Sequence, residues 1–377
     1  MPVRRFLVLF LLAGVATALV LKGLEALITL RPVSMKYEIE QKLAANIASG
    51  HYAMPPQTFN ERALRWQTVA DLKHSPDMVV IGSSHGLRVD GAMLNEPDLQ
   101  NLSVTGGMMP DGWITTDLIA RARLRPRIWV IFVEPWFFDI HADIGLWQQR
   151  GDDAVAFERQ LATMTKPELP PVYGPRLKKK VLPSLFTPLT LSPVIDWFEK
   201  EIRSYRFDPN PPADGELHGL ALRGDGSFFL TWEVSEPETG STRLALRQFA
   251  MDADRYRYGN YPVEDPVLWA YFTRWLLFCR AHGSEVWLIL PPFHPAIYGK
   301  IVATPHNQLG TIEERTRALA AREGMKLIGS YNPAALGLGA GDFEDGDHLN
   351  DRGLTRLLAH AALTQTEPAA IRQGAAR

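Results

Sequence analysis

The chain holds a single cysteine, Cys279, in 377 residues, which excludes an intramolecular disulfide and any cysteine-based metal cluster. Its neighbours Trp275, Leu276 and Phe278 mark that thiol as a small apolar core residue. Formal net charge is only −2, so there is no general electrostatic case for nucleic-acid binding. No internal repeat is evident. What the chain does have in quantity is tryptophan and proline, 10 and 28 residues respectively, and both suit an exported protein with long ordered loops.

The N-terminus points the same way. Arg4 and Arg5 precede an apolar run from Phe6 to Leu21, and apolar character resumes after Lys22 as far as Leu30. A basic flank ahead of such a run directs a chain to the membrane, with the basic end kept in the cytoplasm. Ala16-Thr17-Ala18 offers a small-residue cleavage site, yet cleavage there would leave Leu19, Val20, Leu21, Leu24, Leu27 and Ile28 on a greasy mature terminus. A helix reaching Leu30, with Lys22 snorkelling to the interface, attains the ~20 residues a span requires. The expectation is an anchor over residues 1–31, a juxtamembrane helical segment over 32–76, and everything later outside the cytoplasm.

Helices are expected at Met35 to Ala48 and Asn60 to Lys73, the second with Leu64, Val69 and Leu72 on its apolar face. Short apolar runs follow at Met78 to Ile81, Leu102 to Val104, Ile128 to Val133, Val286 to Leu290 and Lys326 to Ile328. Their length and β-branched content fit strands buried on both faces of a parallel sheet. Helical stretches separate most of them: Asp111 to Leu124, Pro266 to Ala281 with Gly283 as stop, and Thr311 to Arg322 with Gly324 as stop. The βαβ alternation predicts a doubly wound α/β domain over residues 77–365. Between residues 138 and 265 the rhythm breaks into a proline-rich insertion. It contains a predicted hairpin from Leu220 to Leu230 and a short helix at Pro193 to Ile202. Insertions at the sheet's C-terminal edge lie where ligands bind, so this one is placed to cover the site or select the substrate. The tail over 366–377 is expected to fray.

Two segments carry chemistry. Val79-Val80-Ile81-Gly82-Ser83-Ser84-His85 sets a serine in a tight turn directly after a buried strand. Backbone N–H groups at the following helix start favour the negative charge that develops in acyl transfer. Ser84 needs a base to act as a nucleophile; Ser83 is a second candidate hydroxyl, and a plain N-cap serine is the bland alternative. The base is offered by Asp345-Gly346-Asp347-His348, whose i, i+3 spacing lets the Asp345 carboxylate orient one nitrogen of His348 while the other faces a nucleophile. Asn350 or Asp351 would cap the helix that follows. The acidic loop of Asp342, Glu344, Asp345 and Asp347 also suggests Ca²⁺, but its glycine placement does not fit a calcium hand.

These motifs resemble those of the SGNH hydrolase superfamily, and within it the membrane-anchored bacterial proteins related to polysaccharide O-acetyltransferases. Gly82-Ser83-Ser84 is similar to the first motif, Gly-Asp-Ser. Asn101-Leu102-Ser103-Val104-Thr105-Gly106 is similar to the second, and Asp345-Gly346-Asp347-His348 to the last. The resemblance implies a three-layer, flavodoxin-like α/β fold with a parallel sheet of about five strands. It also implies a Ser84–His348–Asp345 triad, with the N–H groups of Ser84 and Gly106 receiving the oxyanion and no metal or organic cofactor. One departure stands out: where the third motif supplies an asparagine, this chain has Val133-Glu134-Pro135-Trp136, and a carboxylate there would repel an oxyanion unless protonated or turned away.

Other candidate substrate contacts are His85 beside the nucleophile, Glu134, Trp136 as a sugar-stacking ring, and His294, which a structural turn explains better. Trp129, Trp147 and Trp269 read as core. Lys178-Lys179-Lys180 with Arg176 is a solvated face or a patch for anionic lipid or glycan. The expected protein is a single-pass bacterial inner-membrane enzyme with its domain in the periplasm or outside the cell. It would add O-acetyl groups to, or remove them from, an envelope or secreted polysaccharide, with a separate acyl-donating membrane partner. The competing expectation is a catalytically inactive envelope-assembly or glycan-binding protein with the same fold; a handling step in cell-wall ester decoration, like that of D-alanyl transfer proteins, is a third.

Overall fold

Alternate residues of the central strands face opposite ways, and each set is covered by its own layer of helices. In the computed structural model, which describes residues 2–29, 37–56, 59–142, 145–177, 208, 210, 220–230, 238–252, 256–282 and 285–363, the elements run as follows. Helix α1 (Pro2–Thr29) precedes α2 (Glu38–Ala48) and α3 (Glu61–Asp71). Strand β1 (Met78–Ile81) is followed by β2 (Leu99–Asn101), α4 (Met109–Arg121), β3 (Ile128–Phe132) and α5 (Gly151–Thr163). Next come β4 (Leu220–Leu222), β5 (Phe228–Leu230), α6 (Glu238–Asp252), α7 (Pro266–Ala281) and β6 (Glu285–Leu290). The chain closes with α8 (Pro295–Val302), α9 (Leu309–Glu323), β7 (Lys326–Gly329) and α10 (Asp351–Leu363).

Five strands form one parallel sheet in the order β2-β1-β3-β6-β7. Val79, Ile81, Trp129, Ile131, Val286 and Leu288 pack with Trp113 of α4 and Trp275 of α7. On the opposite face Met78, Val80, Ile128, Val130 and Ile289 pack with Leu354, Leu357 and Leu358 of α10. This is the period of two expected of strands buried on both faces. Cys279 lies fully buried in the first of these layers, and burial pushes its thiol well above the ordinary range.

The strand order places a reversal between β1 and β3, since the chain first moves outward to β2 and then crosses to the other side. In open α/β sheets the crevice at the C-terminal ends of such a pair is where ligands bind. Ser83 and Ser84 follow β1 after Gly82, and Glu134 follows β3 after Val133.

The helices and most strands lie within a few residues of their expected bounds. The second strand differs: the ladder with β1 covers Leu99–Asn101, while Leu102 to Val104 continue beside it as irregular chain, Leu102 N–H donating to Val80 O at 2.8 Å and Val104 N–H to Gly82 O at 3.1 Å. Leu72 ends α3 as its C-cap and is half-buried, while Leu64 and Val69 are buried. Gly324 stops α9 at φ +62°. The expected helix at Pro193 to Ile202, the lysine run at 178–180, Gly283 and the C-terminal tail lie outside the described residues.

Helix α1 contains one stretch, Arg5–Leu27, long and apolar enough to cross a membrane. Within it Lys22 Nζ lies 2.8 Å from Glu25 Oε2, so its charge is balanced by a partner one turn on. Helix α2 buries Ile39, Leu43, Ala44 and Ile47 against Leu64 and the hairpin residue Leu222. The predicted hairpin forms as an antiparallel pair, β4 with β5.

Candidate active site

Three segments far apart in sequence meet at the C-terminal end of β1. Gly82 leaves the strand, and Ser83 caps the short 3-10 turn Ser84–Gly86, its Oγ accepting the His85 N–H at 3.2 Å. Ser83 is fully buried. The capping role therefore belongs to Ser83, and Ser84 is the hydroxyl that faces the crevice. Asn101 fixes this turn from β2: its Nδ2 donates to Gly86 O at 2.7 Å and to Val89 O at 2.8 Å. The loop after β2 closes tightly on it. A Cβ at Gly107 would sit 2.6 Å from Gly82 O, so only glycine fits there. Gly106, at φ +58°, is the residue before it in this loop. Arg62 of α3 braces that loop, pairing with Asp111 at 2.8 Å and donating to Thr105 O at 3.2 Å.

The loop before α10 delivers the base. Asp345 Oδ1 accepts N–H bonds from Asp347 at 3.0 Å and His348 at 2.8 Å, and Glu344 N–H closes onto His348 O at 2.9 Å. This compact turn brings His348 Nδ1 to 2.9 Å from Asp345 Oδ2. Asn350 caps α10, accepting the Gly353 N–H at 2.9 Å. His348 Nε2 then lies 2.8 Å from Ser84 Oγ. A hydroxyl, an imidazole and a carboxylate are in hydrogen-bonded series.

The surroundings set the charges. Burial would raise Asp345, but the His348 charge and hydrogen bond, with the Gln248 amide at 3.0 Å, hold it well below the carboxylate range. Desolvation opposes charging His348, but the carboxylates of Asp347 and Asp345 outweigh it and push the imidazole up to about 9. A base must be unprotonated to accept the serine proton, so activity should fall as pH drops below about 9. With one proton controlling the step, kcat/KM at pH 7 should be roughly 100-fold below its alkaline plateau. Asp347→Asn removes one of the raising charges and should move this limb to lower pH. A profile with its midpoint near that of free histidine, unmoved by Asp347→Asn, would contradict the assignment.

Glu134 is turned away from the crevice. It is fully buried, Oε2 lying 2.9 Å from His85 Nδ1 and Oε1 accepting the Ser83 N–H at 3.4 Å. Glu134 therefore serves as the partner of His85, with no open path to a substrate. Two other expected substrate contacts are also corrected. Trp136 is 6% exposed, with its Nε1–H donating to Gly107 O at 2.9 Å, so it walls the loop and offers no face to a sugar. His294 is fully buried as the N-cap of α8, its Nδ1 accepting the Ala296 N–H at 3.0 Å; desolvation lowers its pKa. Trp129, Trp147 and Trp269 are core residues.

His85 lines the crevice with Ser84 and His348, its ring centroid 5.3 Å from that of His348. Its Nε2 lies 3.9 Å from Asp347 Oδ2, and Asp347 Oδ1 lies 3.4 Å from His348 Nδ1. His85, Asp347 and His348 thus bring ligand-type atoms within 4.8 Å of one another. Both His348 nitrogens are already engaged by Asp345 and Ser84, and Arg257 Nη1 faces Asp347 at 3.9 Å. The donor set therefore suits proton holding better than a cation. In the acidic loop, Asp342 is paired with Arg352 at 2.8 Å, which leaves it poorly placed for Ca²⁺.

Sequence reasoning missed Gln248, Asp347 and the His85–Glu134 couple. Gln248 comes from the insertion, about a hundred residues before the loop it holds, and no local pattern announces it. Asp347 was legible only as one of several acids. No family model matches this chain, and no curated protein does.

Proposed function

We propose that this protein is a membrane-anchored acyl-ester enzyme, a serine O-acyltransferase or esterase of the SGNH type. The single observation that supports it most is the contact between Ser84 Oγ and His348 Nε2 at 2.8 Å, with Asp345 at 2.9 Å behind the imidazole. Ser84 attacks the acyl carbonyl while His348 takes the hydroxyl proton and Asp345 steadies the resulting imidazolium. A bond forms between Oγ and the carbonyl carbon, and the oxyanion is received by the N–H groups of Ser84 and Gly106. Collapse expels the alcohol, which leaves with the proton from His348. A sugar hydroxyl or water then repeats the sequence and frees the serine. The substrate in this reading is an O-acyl ester of an envelope or secreted polysaccharide, handled on the outer side of the bacterial inner membrane. An acyl-donating membrane protein is the partner for transfer.

The burial of Glu134 against His85 supports the enzymatic reading over the inactive one, because the carboxylate that would oppose an oxyanion is committed elsewhere. The test is hydrolysis of a chromogenic acyl ester by the full-length protein. Wild type should turn over and Ser84→Ala should fall to the uncatalysed background; equal rates in the two would refute the proposal.

A further inference from the structure

A cavity of about 210 Å³ opens beside Ser84 and His348. Its walls are Leu87, Leu220, Phe228, Leu349 and Leu354. Its charged lining residues, Arg88 and Glu344, pair with each other, and Arg88 also meets Asp351 at 3.3 Å, so their charges are compensated. Apolar cavities of about 150 Å³ already take up benzene. A single methyl group leaves most of this space without contacts, and a sugar ring would bury hydroxyls against leucine and phenylalanine with few partners.

One wall comes from the insertion and is fixed in place. Phe228 N–H donates to Leu87 O at 2.8 Å, directly joining the β4–β5 hairpin to the serine turn. Asp225 O accepts from Asn101 N–H at 2.7 Å, and its carboxylate accepts the Gly91 N–H at 3.0 Å. Gly226 is at φ +79°, where a Cβ would meet Gln100 Nε2 at 2.6 Å, so the turn requires glycine. Arg65 Nη1 donates to Gly226 O at 2.7 Å from the other side. A preformed apolar wall beside a nucleophile sets the length of the group it accepts.

We propose that this cavity is an acyl-chain pocket, and that the group transferred through Ser84 is a medium-length acyl chain of roughly six to eight carbons, not acetyl. The inference rests on the acyl-ester reading above and narrows its substrate class. Hydrocarbon enters between the hairpin and α10, which brings the carbonyl carbon to Ser84 Oγ.

The experiment is a series of p-nitrophenyl esters, from acetate through butyrate, hexanoate and octanoate to dodecanoate. They are assayed with the full-length protein in lipid nanodiscs and corrected with Ser84→Ala. Each methylene buried should raise kcat/KM about fourfold, up to hexanoate or octanoate, with a decline at dodecanoate. Leu220→Trp, which fills the pocket from the hairpin edge, should lower the hexanoate-to-acetate ratio by about tenfold. Leu220→Ala should move the optimum to longer chains. Ser84-dependent turnover that is fastest on acetate would overturn the pocket while leaving the acyl-ester reading intact. Turnover of no ester at all would overturn both.

Discussion

Asp345→Asn should lower kcat/KM for ester hydrolysis by about 10⁴-fold, with the fold and melting temperature little changed. The asparagine keeps the shape of the carboxylate but can present its amide to His348 Nδ1, which favours the tautomer unable to accept the Ser84 proton. The loss of charge also removes the partner of the imidazolium, and in serine hydrolases these effects together cost about that factor. Two features sharpen the expectation here. Asp345 is held ionised by His348 and Gln248, so its charge is present across the working pH range. Asp347 also faces His348 Nδ1, at 3.4 Å, but it reaches the nitrogen from a longer distance and shares its charge with Arg257. It therefore does not substitute for Asp345. Combining Asp345→Asn with Ser84→Ala should add little to the serine change alone, because residues acting as one unit are not additive. A tenfold loss or less in Asp345→Asn would indicate that Asp347 orients His348.

Glu134→Ala should destabilise the protein by about 1–3 kcal/mol for each buried donor it leaves without an acceptor. The side chains of His85 and Glu134 are both almost completely enclosed, and the same carboxylate satisfies the Ser83 backbone N–H. Its loss leaves two buried donors without acceptors directly under the nucleophile turn. Activity should fall by at least about 100-fold as the serine shifts out of line with His348. Glu134→Gln should not rescue fully, because an amide that accepts from His85 turns its own N–H₂ toward the Ser83 N–H. Thermal unfolding with ester kinetics on the same samples checks both effects. An unchanged melting temperature would mean that Glu134 is not the partner of His85.

Much of the fold could be read from local pattern. The runs at β1, β3 and β6 are solid apolar stretches because both faces are covered, and α7 occupies the very span expected for it, Pro266–Ala281. β2 was misplaced by three residues for a physical reason. Its Gln100 and Asn101 are polar because their amides hold the hairpin and the serine turn, which hides the strand from a hydrophobic pattern. Asp345 and His348 were legible because one turn of chain joins them. Glu134 was visible only as a wrong residue at an expected position, and its role depends on His85 of a neighbouring strand end. Gln248 and the hairpin wall come from the insertion, where composition shows only a break in rhythm.

The most direct test is to treat the full-length protein with a fluorophosphonate at alkaline pH and locate the adduct by peptide mass spectrometry. One phosphonyl group should appear on Ser84, formed rapidly in wild type and at least about a thousandfold more slowly in His348→Ala. An adduct on Ser83 or elsewhere, or equal rates in the two proteins, would contradict it.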